Sequence, residues 1–285
     1  MSVNVVEQGF QGIIEHLQAD AYHASSALGS SGIKKMGQSA SHFLHYTTAA
    51  EDISSTKRDS FSIGTCAHSL CVENNPSAYL VGPEVSTKAV KAWKEFVDAN
   101  PDKIVVSPKE HKQLFGMYGK FQAHPEVCRL VQNTFREKSF FHTDHEHGIW
   151  LKARPDIISK DHTVIIDYKT TARPATQHSF TNTMAQLQYD VSAAHYAAIT
   201  EQTTGVKVKE VFWIVQETEA PYEIMVYRAT PALLRGAEMV RQNLLSKIRI
   251  ALQTNNFPGY PTDVLDIDLP QWKISELADS LGDIA

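Results

Sequence analysis

Two consecutive segments predicted to be β-strands constrain the fold more than any other part of the sequence. Residues 149–158 and 163–169 are rich in Ile, Val and Trp, and the turn-like residues 159–162 separate them. The apolar run 164–166 is typical of a strand that is buried on both faces. We therefore expect two strands of one sheet in the protein core, close enough to be neighbours.

Charged residues stand at the ends of both predicted strands. The apolar run leads directly into Asp167-Tyr168-Lys169, and Arg154-Pro155-Asp156 lies in the strand before it. Side chains alternate along a strand, so Asp167 and Lys169 share one face and Tyr168 takes the other. If the strands are neighbours, Asp156 comes alongside Asp167. Two buried carboxylates and an ammonium group are costly to desolvate alone, which favours a divalent cation between them over a surface Asp–Lys pair.

A histidine upstream is a candidate third metal ligand. Residues 61–73 are predicted to be a helix in which three small residues and His68 share one face. His68 is the only long side chain on that face, although a histidine buried in the core is the more frequent outcome of such a pattern. Oxygen ligands from Asp156, Asp167 and the main-chain carbonyl of Tyr168, with Lys169 close to a phosphate, meet the requirements of phosphodiester hydrolysis.

Composition is that of an ordinary soluble protein. The 285 residues carry a formal net charge of −5, which argues against a general electrostatic coat for nucleic acid but leaves a local basic track open. The three cysteines form no Cys-x-x-Cys pair, which fits a reducing compartment. No apolar run is long enough to span a membrane and no secretion signal is apparent. We expect a cytoplasmic protein without a membrane partner.

The order of predicted elements indicates an α/β fold with a mixed central sheet flanked by helices in a single domain. We divide it into a helical N-terminal part (1–60), a core (61–260) and a C-terminal extension (261–285). The predicted elements around the charged strands are a helix over 4–20, a loop over 22–32, a helix over 180–202, strands over 206–216 and 222–227, and a helix over 231–254.

Several motifs in order resemble one nuclease family. Pro155-Asp156 followed by Asp167-Tyr168-Lys169 resembles the PD-(D/E)xK signature of restriction-endonuclease-like nucleases. Gly64-Thr65-Cys66-Ala67-His68 resembles the Gly-x-x-x-His helix of the RecB-type branch. Further stretches are similar to the phage and prophage exonuclease VIII (RecE) group, and they are residues 22–24, 31–46, 152–156, 167–171, 189–196, 257–260 and 269–272.

This resemblance implies a fold, an activity and partners. It implies a restriction-endonuclease-like fold and a Mg²⁺-dependent exonuclease, with Mn²⁺ as a substitute, that degrades linear double-stranded DNA from the 5′ end in phage-type recombination. It also implies a homo-oligomer and a RecT-like single-strand annealing protein as partner. His68, Asp156 and Asp167 would bind metal, together with the Tyr168 carbonyl, and Lys169 would be the catalytic lysine.

Other residues would bind DNA or support the site, and they are Arg154, Gln186, Gln188, Tyr189 and Tyr196. The sequence departs from the family at Ser192, where a Gln is expected four residues before Tyr196. Gln186 and Gln188 in the preceding turn are the candidates to replace it. Two alternatives stay open: an endonuclease on the same core, and a catalytically silent DNA-binding subunit. The complete acid-acid-lysine set argues against the silent subunit.

Overall fold

The computed structural model describes residues 5–48, 63–101, 103–271 and 273–275. The helices and strands of this part are, in chain order, β1 (Gly12–Ile14), α1 (Ala19–Ala24), α2 (Ser30–Gln38), α3 (Ala40–Thr48), α4 (Ile63–Cys71), β2 (Tyr79–Val81), α5 (Lys91–Asp98), β3 (Ile104–Val106), α6 (Pro108–Ala123), α7 (Pro125–Val131), β4 (Thr134–Arg136), β5 (Ser139–Asp144), β6 (Ile149–Ala153), β7 (Ile157–Ser159), β8 (Val164–Thr171), α8 (Gln177–Leu187), α9 (Tyr189–Thr204), β9 (Glu210–Glu217), β10 (Ile224–Arg228) and α10 (Pro231–Thr254).

A five-stranded mixed sheet forms the centre of the fold, with the strand order β10-β9-β8-β7-β4. Strands β8 and β9 run parallel, and the other neighbours are antiparallel. A parallel pair needs a crossover connection, and helices α8 and α9 supply it between β8 and β9. Ile165 and Ile166 in β8 are fully buried, which confirms the prediction of a central strand.

A long hairpin links the central sheet to a second sheet. Strand β4 pairs with β7 in the central sheet, and β5 pairs with β6 in a three-stranded sheet of order β1-β5-β6. Between the two paired regions, Glu137 adopts a left-handed backbone conformation (φ 50°), and its N–H donates to the carbonyl of Asp156 at 3.1 Å. Such an irregularity bends a hairpin and redirects the side chains beside it. The predicted strand 149–158 is therefore two strands.

Helices cover both faces of the central sheet, as the sequence predicts. One core cluster joins Ile165 and Trp213 to apolar residues of α9 and α10. The other joins Ile166 and Tyr168 to residues of α4 and α6. The alternation of β8 thus places Asp167 and Lys169 on the side of α9, and Tyr168 on the side of α4 and α6.

The predicted helix over 4–20 is wrong. Gly9 (φ 80°) and Gly12 (φ 140°) adopt conformations that no helix contains, and β1 pairs there with β5. The loop expected over 22–32 contains the end of α1 and the start of α2. Residues 49–60 of the predicted N-terminal part lie outside the described residues.

The predicted helix over 180–202 is also wrong, because it is two helices. Gln188 adopts a left-handed conformation (φ 52°) that ends α8 and precedes α9. The helix predicted over 231–254 matches α10 at both ends, and its N-cap Thr230 accepts a hydrogen bond from the N–H of Leu233. Among the described helices, none is long and apolar enough to cross a membrane.

Candidate active site

The register of β7 and β8 brings two aspartates together. Ile157 pairs with Ile166, so Asp156 immediately precedes the paired region and Asp167 immediately follows it on the neighbouring strand. An Asp156 side-chain oxygen, Oδ2, accepts a hydrogen bond of 2.8 Å from the N–H of Tyr168. The exposed fractions of the two side chains are only 15% and 7%. The structure thus has Asp156 alongside Asp167, as the strand pattern predicts.

Lys169 lies on the same face as Asp167. Its Nζ is 2.6 Å from Oδ2 of Asp167 and 5.1 Å from the ring centroid of Tyr189. The neighbouring Tyr168 points into the opposite core, where its hydroxyl donates to Oε1 of Gln216 at 2.6 Å. Alternation along β8 therefore separates the residues of the site from a residue of the core.

His68 contacts Asp156 from α4. Its Nε2 lies 3.4 Å from Oδ1 of Asp156, and its Nδ1 lies 3.3 Å from Oε1 of Glu73. The small residues Cys66 and Ala67 beside it are fully buried, which lets this helix approach the sheet closely. His68 is consequently a residue of the site and not a histidine enclosed by the core.

Glu137 is a further acidic residue of the site, and it is not among the residues predicted from the sequence. Its Oε1 lies 3.4 Å from Nε2 of His68, and its Oε2 lies 2.8 Å from Nε of Arg154. Together His68, Glu73 and Glu137 offer ligand atoms within 4.8 Å of one another. The Glu137 side chain reaches the site because Glu137 itself adopts a left-handed backbone conformation in the long hairpin. The residues around Glu137 give no sequence signal for this conformation.

Arg154 binds Glu137 and holds it in position beside His68. Its Nε also donates to the main-chain carbonyl of Glu137 at 3.1 Å, and its Nη2 donates to the carbonyl of Leu17 at 2.9 Å. The guanidinium carbon lies 5.3 Å from the ring centroid of Tyr22. These contacts favour the supporting role that was expected of Arg154 over direct contact with DNA.

The protonation of the site reflects an excess of buried negative charge. Burial and the charge of Asp156 raise the pKa of Glu137 to about 7. Burial lowers the pKa of His68, but hydrogen bonds to Asp156 and Glu73 outweigh it and raise that pKa to about 10. Burial also raises the pKa of Asp167, and the charge of Asp156 adds to this effect. Protons thus compensate for charge that a cation would otherwise neutralise.

The residues present fit a divalent metal ion. Oδ1 of Asp167 is buried and has no hydrogen-bond partner among the described residues, which is costly for a carboxylate. Carboxylate oxygens with one imidazole are ligands suited to Mg²⁺ and Mn²⁺. Binding of one ion by Asp156, Asp167 and His68 stays a prediction, as does participation of the Tyr168 carbonyl. Glu73 and Glu137 are further candidate ligands beside His68.

Helix α9 brings a tyrosine to the site. Burial raises the pKa of Tyr196, and the negative charge of Asp167 raises it further, because the phenol lies near the acidic pair. Ser192, where the family pattern has Gln, is buried, and its hydroxyl donates to the carbonyl of Gln188 at 3.4 Å. The Gln188 amide lies against α2, and its Nε2 would be 3.6 Å from a Cβ added to Gly37. Gln186 is exposed at the end of α8.

A second lysine, Lys34, also lies near the site, and its position there is not predicted from the sequence. Lys34 in α2 donates from Nζ to the carbonyl of Leu187 at 3.0 Å and lies 5.9 Å from the ring centroid of Tyr189. Burial lowers the pKa of Lys34, and the positive charge of Lys169 lowers it further. The position results from tertiary packing of α2 on the α8–α9 junction, which local sequence does not reveal.

Two aspartates, a lysine and a histidine at one end of a mixed sheet define a site of the PD-(D/E)xK type. The chain belongs to a family of PDDEXK-like domains of unknown function, DUF3799, whose model matches residues 29–264. Its fold is similar to that of a crystal structure from Eubacterium rectale described as a "Putative exonuclease", with a TM-score of 0.58 and 15% identity over 92% of this chain and 97% of that one. No curated protein sequence matches the chain. The superfamily is thereby confirmed, and the closer resemblance to the exonuclease VIII group stays a prediction.

Proposed function

We propose that the protein is a metal-dependent exodeoxyribonuclease that hydrolyses phosphodiester bonds of linear double-stranded DNA. The observation that carries this proposal is the contact of Asp167 with Lys169 at 2.6 Å beside Asp156 and His68, with one buried oxygen of Asp167 unpaired. Membership of the PDDEXK-like family and the fold support a hydrolytic nuclease. The printed description of the Eubacterium rectale protein supports the choice of an exonuclease.

Each residue has a distinct task in this proposal. A divalent ion held by Asp156, Asp167 and His68 would supply positive charge to the phosphate and lower the pKa of a water molecule. Lys169 orients that water or neutralises charge that develops on the phosphate, since the charges of Asp167 and Asp156 keep its ammonium protonated against the effect of burial. Tyr168 positions Asp156 through its N–H. Arg154 positions Glu137.

The finer features of the proposal depend on the family resemblance. They are digestion from the 5′ end, action with a RecT-like annealing protein in phage-type recombination, assembly as a homo-oligomer and a cytoplasmic location. Gln186, Tyr189 and Tyr196 would contact DNA or support the site, and Gln188 would pack behind them against α2. Mg²⁺ is the proposed ion, and Mn²⁺ would replace it.

Digestion of labelled DNA tests the function. Linear duplexes labelled at either 5′ end and covalently closed circles would be incubated with Mg²⁺, Mn²⁺ or EDTA. We expect metal-dependent digestion of the linear duplex alone, and loss of that activity in Lys169→Ala. Unchanged activity in Lys169→Ala would overturn the assignment. Cutting of the circle would identify an endonuclease, and binding without metal-stimulated hydrolysis would identify a silent DNA-binding subunit.

A further inference from the structure

A cavity of about 280 Å³ opens directly beside Lys169. It lies between the end of β8, the loop that follows this strand, and α8. The described residues that line it are Lys169, Thr170, Thr171, Ala172, Arg173, Pro174, Ala175, Ser179, Phe180, Thr183, Gln186, Leu187, Tyr189 and Val215. Its volume is slightly below the range typical of small-molecule sites, about 300–1,000 Å³. Of these residues the proposed function uses Lys169, Gln186 and Tyr189, so most of the cavity lining has no assigned role.

Hydrogen bonds hold the loop side of the cavity in place. The N–H of Ala175 donates to Oε1 of Glu217 at 2.8 Å, and the Ala175 carbonyl accepts from the hydroxyl of Tyr227 at 2.6 Å. The Thr171 hydroxyl oxygen accepts from the N–H of Arg173 at 3.0 Å, which closes the turn before Ala175. The loop wall is therefore formed before any ligand binds, and a ligand that enters pays little conformational entropy for ordering it.

Two aromatic side chains, Phe180 and Tyr189, line another side of the cavity. Phe180 is only 5% exposed and stacks on Tyr227 with centroids 5.2 Å apart and planes inclined by 10°. The Phe180 ring lies 6.2 Å from the Tyr189 ring, which in turn lies 5.1 Å from Nζ of Lys169. Tyr189 is half-buried and is therefore the lining ring that a nucleobase can reach beside Lys169. Stacking on an aromatic ring accepts nucleobases of any sequence.

The polar groups of the cavity suit an anionic, hydrogen-bonding ligand. Thr170, Ser179, Thr183, Gln186 and the exposed Arg173 are polar lining residues, and the Thr183 hydroxyl donates to the Ser179 carbonyl at 3.0 Å. None of the described lining residues is acidic, in contrast to the neighbouring metal-binding residues. A cationic peptide or a metal ion has no matching ligand here, whereas a nucleotide has apolar, hydrogen-bonding and cationic partners.

We propose that this cavity, the terminal-nucleotide pocket, binds the base and sugar of the nucleotide that is released from the DNA end. The inference rests on the proposed function, because a scissile phosphate beside Lys169 places the adjacent nucleoside at the mouth of the pocket. The base lies against Tyr189. Occupation of the pocket by an unpaired terminal base positions the phosphate for hydrolysis.

Paired substrates test the pocket without any mutation. Two linear duplexes of one sequence would be compared, one with a normal terminal nucleotide at the digested end and one with an abasic tetrahydrofuran residue there. Stacking of one base on an aromatic side chain strengthens binding by a factor of about 5 to 160. We expect the first cut of the abasic end to be slower by a factor in this range under single-turnover conditions. Equal rates for the two ends would overturn the pocket and leave the nuclease function intact, whereas no metal-dependent cleavage of either would overturn the function and the pocket with it.

A matched pair of variants locates the effect. Thr183→Phe fills the pocket from α8, and Thr181→Phe introduces the same side chain on an exposed position of the same helix. We expect Thr183→Phe to slow the normal end by a larger factor than the abasic end, which retains only the sugar in the pocket. Thr181→Phe should leave both rates at the wild-type level. An equal loss on both ends in Thr183→Phe would contradict the proposal.

A binding measurement gives a readout that does not depend on hydrolysis. A duplex with 2-aminopurine as its terminal base would be titrated with each protein in EDTA, and its fluorescence would be followed. We expect a change of fluorescence with the wild type and Thr181→Phe, and its loss with Thr183→Phe. If Thr183→Phe fails to fold, the smaller substitution Ser179→Val replaces it. The wild-type rates on normal and abasic ends test the pocket independently of either variant.

Discussion

Nε2 of His68 lies 3.4 Å from Oδ1 of Asp156, although one residue belongs to α4 and the other to the hairpin that enters the central sheet. The same nitrogen lies 3.4 Å from Oε1 of Glu137. His68 therefore connects the acidic pair of the sheet with a second group of acids. The raised pKa values of His68 and Glu137 show that protons occupy this group when no cation does.

Removal of Lys169 should destabilise the metal-free protein. Lys169→Met leaves Asp167 buried without the ammonium that lies 2.6 Å from it, and loss of one partner of a buried pair costs up to about 3–5 kcal/mol. We expect less than this, because a quarter of the Lys169 side chain is exposed. Urea unfolding in EDTA measures the loss, and added Mg²⁺ should recover part of it.

The matched control is Lys120→Met, which removes an exposed ion pair with Glu223 at 2.8 Å. Such pairs contribute about 0–1 kcal/mol, so this variant should unfold close to the wild type. Equal losses in the two variants would show that Asp167 does not depend on Lys169.

Asp167 should couple metal binding to stability. A ligand that binds only the folded state adds about 2.7 kcal/mol at a hundred times its Kd. We expect Mn²⁺ or Mg²⁺ to raise the melting temperature of the wild type and to leave that of Asp167→Asn unchanged. Differential scanning calorimetry across a metal titration measures both. Asp263→Asn, at an exposed position near the start of the C-terminal extension, is the control that should respond like the wild type.

Strand alternation made part of the site predictable. A buried run followed by Asp167-Tyr168-Lys169 fixes which side chains share a face, and the short turn before it brings Asp156 to the neighbouring strand. The helix of His68 was predictable because small residues recur on one face at helical spacing. These relations involve only local periodicity and one tight connection, which sequence carries directly.

Other parts depend on information that local sequence lacks. Glu137 reaches the site because its own backbone is left-handed, between two paired regions of the hairpin. No neighbouring residue in the sequence distinguishes this position from a regular strand. Lys34 approaches the site because α2 packs on the end of α8, a contact between distant segments. The break at Gln188 interrupts a pattern that is helical on both sides, so periodicity predicted one helix where there are two.

Arg154 should act as a positioning residue for metal binding. Its guanidinium holds both the carboxylate and the main chain of Glu137 and also the carbonyl of Leu17. Loss of a group that orients metal-site residues typically weakens metal affinity about 10–100-fold. We expect Arg154→Met to raise the Mg²⁺ concentration for half-maximal digestion by about this factor, with little change in KM for DNA.

Arg154→Lys keeps the charge but cannot make all three contacts, so it should recover only part of the metal affinity. Arg228→Met removes an exposed pair with Glu210 and serves as the control. A large rise in KM for DNA with unchanged Mg²⁺ dependence in Arg154→Met would instead identify Arg154 as a DNA contact.

Glu137 should make the stability of the metal-free protein depend on pH. Its folded pKa of about 7 exceeds the usual 4.5, so the folded state binds more protons than the unfolded state between these values. The contribution of Glu137 to stability must therefore fall as pH rises from about 4.5 through 7. The raised pKa of His68 acts in the same direction, but only above its ordinary value of 6.5. Burial lowers the pKa of His195 to about 3 and also lowers the pKa values of His142 and His162, which makes stability rise between pH 5 and 6.5. The difference between the wild type and Glu137→Gln in urea unfolding with EDTA therefore isolates the contribution of Glu137.

In Glu137→Gln the change in stability from pH 5 to 6.5 should be more positive than in the wild type, since the amide carries no titrating proton. Asp167, whose pKa burial also raises, retains its own part of the slope in this variant. Glu146→Gln, an exposed glutamate in the β5–β6 turn, should keep the wild-type slope. With saturating Mn²⁺ the wild-type slope should shift in the same direction as in Glu137→Gln, because a cation replaces the protons and favours the ionised acids. A wild-type slope that is unchanged in Glu137→Gln would show that this carboxyl group does not titrate in the buried cluster.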